Sequence, residues 1–200
     1  MSIIITDNII DTEIHRGYFS ISIKDKLKDE IKFIRSDSIT KIKPKYKMYN
    51  PIIYNNNLLT NNNYDTIIFS IGYHDISETF DPISEDYMKK YENIILYLLN
   101  FTKKLVIISP YRPYDGEDSP YNHIKEEIDL CYKQLIDFLK NITEKYKLIM
   151  INLYDSFKQY NNVLYQSKSE IYMKEEYLIK IIKLIKYVIN NKVKSGFITI

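Results

Sequence analysis

Residues able to do acid–base chemistry directly follow an apolar run near the middle of this chain. In "YDTIIFSIGYHDI", the run 66–71 leads into Gly72, His74 and Asp75. An imidazole can transfer a proton, and a neutral imidazole N–H can donate to an oxyanion. The pattern therefore predicts a catalytic or binding loop. The alternative is a strand exit, with an exposed histidine and with Asp75 capping a turn or the next helix.

A second candidate is the stretch "FIRSDSIT", in which Ser36 and Ser38 flank Asp37. Serine attacks an ester only when a nearby base, usually an oriented imidazole, takes its proton. Ser38 is therefore a candidate nucleophile if folding brings His15 or His123 to it. The alternative is that Ser38 forms a turn and that both histidines are exposed to solvent.

Apolar runs and helical periodicity predict the elements that position these residues. Buried strands are expected at 2–6, 31–34, 66–71, 104–109 and 147–153, and amphipathic helices at 84–101, 124–143 and 172–190. Strands that alternate with helices predict a three-layer α/β/α fold with a doubly wound, mostly parallel, five-stranded sheet. No linker divides the chain, so residues 1–200 form one predicted domain.

The carboxyl ends of the strands are the expected ligand-binding edge of such a sheet. The residues that follow the predicted strands are Asp7 and Asn8, residues 36–38, residues 72–75, residues 110–113, and Asp155. These positions are therefore the first places to look for a functional site.

The set of strand ends resembles the SGNH (GDSL-type) hydrolase family, whose doubly wound, flavodoxin-like fold carries a serine, a histidine and an aspartate that cleave or transfer acyl esters. The family's third block, Gly-x-Asn-Asp, is matched by "GYHD". Gly72 and Asp75 take the glycine and aspartate positions, and His74 stands in place of the asparagine. The resemblance in organisation covers nearly the whole chain, and its motif is specific at Gly72 and Asp75.

Two stretches compete for the family's first block, Gly-Asp-Ser. In "IIITDNII", Asp7 matches the aspartate and Asn8 falls on the nucleophile position. In "FIRSDSIT" the local match is better, but too little chain remains before the third strand for a helix and another strand. The first register is favoured, and Ser36 then lies at the second block, which lacks its oxyanion-hole glycine.

The last family block, Asp-x-x-His, falls on "SEIY" before the final helix, with Ser169 at the aspartate position and Tyr172 at the histidine position. Tyrosine, with a pKa of about 10, is a poor base at neutral pH. Nucleophile, base and orienting acid are thus all replaced. The resemblance therefore implies a degenerate, non-catalytic binding or scaffold protein.

The alternative function is an active ester hydrolase or acyltransferase that uses Ser38 as its nucleophile. A lower alternative is a Rossmann-like methyltransferase, which the glycine-free turn after the first strand disfavours.

The amino-acid composition limits the classes of partner and cofactor that we expect. There are 28 Lys and Arg residues against 26 Asp and Glu residues, so the charge balance does not call for nucleic acid, and the lysine–tyrosine stretch 41–49 is interpreted as a solvated loop. Three dispersed histidines and Cys131, expected to be a buried structural thiol, predict no metal site, and four glycines predict no phosphate loop. We expect no cofactor, and a small acyl ligand or a protein as the partner.

The first residues and the apolar stretches of the chain indicate where in the cell the protein is expected. The first ten residues lack the basic start and long apolar stretch of a signal peptide, and no stretch approaches 18 apolar residues. The expectation is an intracellular, cytoplasmic protein without a membrane span.

Overall fold

Six parallel strands form one sheet, and helices follow the third, fourth and fifth strands, in the computed structural model, which describes residues 1–6, 26–27, 29–35, 59, 63–70, 72, 83–111, 122–158 and 174–199. The strands are β1 (Ser2–Thr6), β2 (Ile31–Arg35), β3 (Thr66–Ser70), β4 (Leu105–Ile108), β5 (Ile149–Ile151) and β6 (Gly196–Ile198). The helices are α1 (Glu85–Leu99), α2 (Lys125–Lys145), which a 3₁₀ turn at Asn122–Ile124 precedes, α3 (Leu153–Phe157) and α4 (Glu175–Asn190).

The sheet has the strand order β2-β1-β3-β4-β5-β6, and every neighbouring pair is parallel. This confirms the predicted three-layer α/β class with a doubly wound parallel sheet. The sheet has one strand more than the five predicted. β6 was missed because it is only three residues long, begins with a glycine and lies half-exposed at the edge, so its sequence carries no buried apolar run.

Alternate residues of each strand face opposite layers, as the two-residue period of a β-strand requires. One set packs under α1 and α2: Ile3, Ile5, Ile67, Phe69, Leu105, Ile107 and Met150. The other set packs under α4: Ile4, Ile68, Val106, Ile108, Ile149 and Ile151. Because both faces are covered, the strands read as unbroken apolar runs, and the sheet separates two hydrophobic cores.

Each long helix presents one apolar stripe to the sheet. The buried residues of α1 are Tyr87, Tyr91, Ile94, Ile95 and Leu98, at the spacing of three and four that predicted the helix. Ser84 caps this helix by accepting a hydrogen bond from the backbone N–H of Tyr87 at 3.1 Å. Cys131 lies buried in α2, where it fills the core.

The predicted strand 147–153 ends earlier than expected, because a short helix begins within it. Asn152 accepts a hydrogen bond from the backbone N–H of Asp155 and so starts α3 directly after β5. The apolar run continues into Leu153, which is buried as a helical residue instead of a strand residue. An apolar run that crosses a helix cap thus looks like one long strand in the sequence.

Lys104 fastens the last turn of α4 to the start of β4. Its Nζ donates to the carbonyl oxygens of Val188, of Ile189 at 3.4 Å and of Asn191 at 2.7 Å. These oxygens belong to a helix end that lacks partners within the helix. Burial of the ammonium lowers the pKa of Lys104.

In the described part of the chain, no helix is both long enough and apolar enough to cross a membrane.

Glu92 joins α1 to the end of α2. Its Oε1 accepts from Lys145 Nζ at 2.8 Å and from Tyr146 Oη at 2.6 Å. These two donors hold the pKa of Glu92 below its ordinary value of 4.5. A carboxyl whose pKa is lower in the folded chain stabilises the fold above its ordinary pKa, and that contribution is lost as the pH falls through the lower value.

We therefore expect Glu92→Gln to destabilise the protein at pH 7 by about 0.5 to 1 kcal/mol, since the pair is partly exposed. The difference from the unmodified protein should shrink as the pH falls below 4.5. Urea unfolding at neutral and acid pH measures both values, and Glu144→Gln, at an exposed position of α2, is the control. A destabilisation that is the same at both pH values would contradict this account.

Candidate functional site

The strand order reverses between β1 and β3, which are neighbours in the sheet although β2 lies between them in sequence. In doubly wound sheets, ligands bind outside the carboxyl ends of the strands at this switch point. β1 and β3 end in register there, with Thr6 opposite Ser70, and both side chains are buried. The topology therefore defines the candidate site as the carboxyl edge of β1 and β3.

Of the residues matched to the family blocks, the structure describes Gly72; it also describes the strand-end candidate Asp155. The other candidates lie outside the described residues: Asp7, Asn8, Ser36, Ser38, His74, Asp75, Ser169 and Tyr172, as well as His15 among the candidate bases. Their roles therefore stay predictions. His123 is described, and it is exposed in the 3₁₀ turn before α2, as expected.

Gly72 is buried two residues beyond β3, under side chains from both helices of this layer. Its φ of +132° lies in a region that residues with a Cβ rarely adopt. An added Cβ would also lie 3.1 Å from Leu135 Cδ2 of α2 and 3.4 Å from the Tyr87 hydroxyl of α1. A glycine is thus required at this position for both the backbone conformation and the close approach of α1 and α2.

Ser109 is a buried hydroxyl at the same edge, directly after β4, and sequence reasoning did not single it out. Its Oγ accepts from the backbone N–H groups of Leu153 at 2.8 Å and Tyr154 at 3.2 Å. The hydroxyl also donates to Asn152 Oδ1 at 3.5 Å. With both acceptor positions occupied and 1% of its surface exposed, Ser109 holds the first turn of α3 and is not placed to attack a substrate.

Asn152 organises the polar end of β5. Its backbone N–H donates to Ile198 of β6 at 3.0 Å, and its Nδ2 donates to Asp155 Oδ2 at 2.7 Å. The same carboxylate oxygen lies 2.8 Å from Lys140 Nζ of α2. Asp155, which the sequence placed among the strand-end candidates, therefore fixes α3 against α2.

The signal that would have found this network is a polar residue at the end of each apolar run. Ser109 closes "KLVIIS" and Asn152 follows "LIMI", but they are 43 residues apart in sequence, and only their partners show their function. Among the described residues, no group of three or more His, Cys, Asp or Glu side chains could hold a metal ion.

Solved structures with the same fold include those of an acetylxylan esterase and of an alpha/beta hydrolase enzyme. Axe2, an acetylxylan esterase from Geobacillus stearothermophilus, has a TM-score of 0.59 at 14% identity, over 96% of this chain and 94% of that chain. A tryptophan-to-isoleucine mutant of Axe2, an acetyl-xylooligosaccharide esterase, has a TM-score of 0.63 at 14% identity, with 98% and 96% covered. LAE5, an alpha/beta hydrolase enzyme from the metagenome of Lake Arreo in Spain, has a TM-score of 0.60 at 14% identity, with 94% of each chain covered.

At this identity, the likeness shows the fold alone: the three-layer architecture of SGNH-type hydrolases over almost the whole chain. Axe2 mutants in which a serine, an aspartate or a histidine is replaced by alanine are described as catalytic mutants of that enzyme. The sequence of this chain matches no protein-family model and no curated protein.

We expect Gly72→Ala to destabilise the protein by about 2 to 3 kcal/mol, because it adds both backbone strain and a close contact with Leu135. Gly196→Ala is the matched control. Its φ is +140°, but nothing lies within 4 Å of an added Cβ, so it carries the strain without the contact. The free energies of unfolding of the two variants, measured with a chemical denaturant, separate the effect of backbone strain from that of the close contact. Equal destabilisation would show that the packing above Gly72 contributes nothing.

We expect Ser109→Ala to destabilise the protein by about 2 to 3 kcal/mol, because two buried backbone N–H groups lose their acceptor. Ser156→Ala should cost less than about 1 kcal/mol, since the Asn152 carbonyl that Ser156 Oγ contacts at 2.6 Å keeps the backbone N–H of Ser156 as a donor. Thermal and chemical unfolding measure the difference. A small effect at Ser109 would mean that water replaces the hydroxyl.

Proposed function

We propose that this chain is a non-catalytic SGNH-like protein that binds a small acyl ligand or a protein partner at the carboxyl edge of its sheet. The observation that carries the proposal is that β1 ends at Thr6 and lies at the switch point. The residues that follow it in sequence are Asp7 and Asn8. An amide at the nucleophile position cannot be deprotonated to attack an ester.

The order of the strands supports this register of the family blocks. The first block follows the first strand in SGNH hydrolases, and the third block follows the third strand. Here β1 precedes Asp7, and β3 precedes Gly72. The competing stretch at 36–38 follows β2, which lies at the edge of the sheet, one strand away from the switch point.

The start of α4 supports the assignment of the last block. α4 begins at Glu175, so Ser169 and Tyr172 shortly precede the final long helix, as the family's aspartate and histidine do. With serine and tyrosine there, the site has no imidazole at the base position. A phenol with a pKa of about 10 does not take the proton of a serine at neutral pH.

A second candidate function is an active ester hydrolase or acyltransferase that uses Ser38. The observation in its favour is the fold likeness to acetylxylan esterases. Such an enzyme needs an imidazole within hydrogen-bond reach of Ser38, about 2.6 to 3.2 Å, or one water away. His15, His74 and His123 are the available groups.

The test is labelling of the purified protein with a fluorophosphonate, followed by peptide mass spectrometry, beside an active serine esterase as control. We expect no stoichiometric modification of the unmodified chain. Labelling at Ser38 that is lost in Ser38→Ala would overturn the proposal and establish the second candidate.

A gain-of-function variant sharpens the same test. Asn8→Ser, Ser169→Asp and Tyr172→His together restore the three side-chain types at the positions that the favoured register gives them. We expect this triple variant to be labelled at position 8, and the variant without Tyr172→His to be labelled much more slowly, because the base is then absent. Labelling elsewhere in the triple variant would contradict the register.

A further inference from the structure

Positive charge is concentrated at one end of the chain. Residues 179–199 contain five of the 28 Lys and Arg residues and none of the 26 Asp and Glu residues. The rest of the chain therefore has 23 basic against 26 acidic residues and is slightly negative. A nearly neutral protein with this separation of charge is oriented by any anionic surface.

The structure brings these lysines to one outer surface. The apolar stripe of α4 that faces the sheet is buried. Its residues Tyr177, Ile181, Ile185 and Val188 belong to the second core, together with strand residues. The side chains that remain outside form a surface that we call the basic face: Lys180, Lys183, Lys186, Tyr187, Lys192 and Lys194.

Helical spacing places the members of the basic face side by side. Lys180, Lys183 and Tyr187 are at i, i+3 and i+7, so they share one side of α4. Lys192 and Lys194 are exposed on either side of Val193, which packs on the core. Contacts among the described residues moderate the charge, since Lys186 is paired with Glu30 and Lys180 lies over the Tyr177 ring at 5.1 Å.

Apolar side chains lie among the lysines. Tyr187 is 55% exposed and Ile179 is 38% exposed, both on α4. A phenol ring with exposed apolar surface favours the boundary between lipid headgroups and acyl chains. An exposed isoleucine gains nothing from the phosphates of a nucleic acid, but it gains from burial at a lipid surface. The combination favours a lipid surface over a nucleic acid.

We propose that the basic face docks the protein reversibly onto an anionic phospholipid bilayer, with the lysines at the phosphate level and with Tyr187 and Ile179 in contact with the outer acyl region. The surface lies along α4, on the layer opposite α1 and α2. It adds a membrane-surface location to the protein and is independent of whether the carboxyl edge is catalytic.

The test is co-sedimentation of the full chain with phosphatidylcholine vesicles that contain or lack phosphatidylserine. We expect binding only to the vesicles with phosphatidylserine, and we expect high salt to weaken it because salt screens the lysines. Lys183→Gln with Lys194→Gln should weaken partitioning about 30-fold, since each lysine near an anionic membrane contributes about 1 kcal/mol.

Lys89→Gln with Lys133→Gln is the matched control, because it changes the net charge equally at exposed positions of α1 and α2. This pair should bind as the unmodified protein does, and unfolding curves check that both double variants are folded. No binding to phosphatidylserine vesicles at low salt would overturn the proposal. Equal loss in both double variants, or binding to duplex or single-stranded nucleic acid in place of vesicles, would overturn it as well.

Discussion

The structure depends on a parallel sheet that is buried on both faces. Each strand must supply apolar side chains to two cores at once, and neighbours such as Ile107 and Ile108 point into different ones. Burial of each such side chain contributes about 1.5 to 3 kcal/mol, so few polar residues are tolerated within the strands. Polar chemistry is consequently confined to the strand ends. This is why both the stabilising hydroxyl of Ser109 and the predicted functional loops occur at the carboxyl edge.

The same constraint explains how much could be predicted from the sequence. Strands buried on both faces and helices with one apolar stripe leave unambiguous patterns, and the fold class with eight of its elements followed from them. β6 was not predicted because an edge strand needs no buried run, and α3 was not predicted because the single polar cap, Asn152, was included in the apolar run at 147–153. Gly72 was expected directly after the third strand, and it lies there with a φ of +132°, while its role in a site stays a prediction. The Ser109–Asn152 contact could not be predicted, because nothing local connects two residues 43 positions apart.

The polar groups at the described carboxyl edge support the fold. Ser109 holds the first turn of α3, Asn152 caps it, and Asp155 fastens it to Lys140. This arrangement links β4, β5 and α2. The proposed replacement of the family's serine, histidine and aspartate leaves this network unchanged in sequence, because Ser109, Asn152 and Asp155 are not among the positions matched to the family blocks. A non-catalytic SGNH-like protein, as proposed, would therefore retain these three side chains.

The geometry also separates the two proposed functions in space. α4 lies flat on one face of the sheet, and its inner stripe is buried there, so the basic face points away from the sheet along the normal to that face. The carboxyl edge faces along the strands, roughly at right angles to that direction. A chain held on a membrane by the basic face would thus have the carboxyl edge of β1 and β3 at its side and not against the bilayer. A ligand or partner could then reach the switch point while the protein stays bound, because neither surface covers the other.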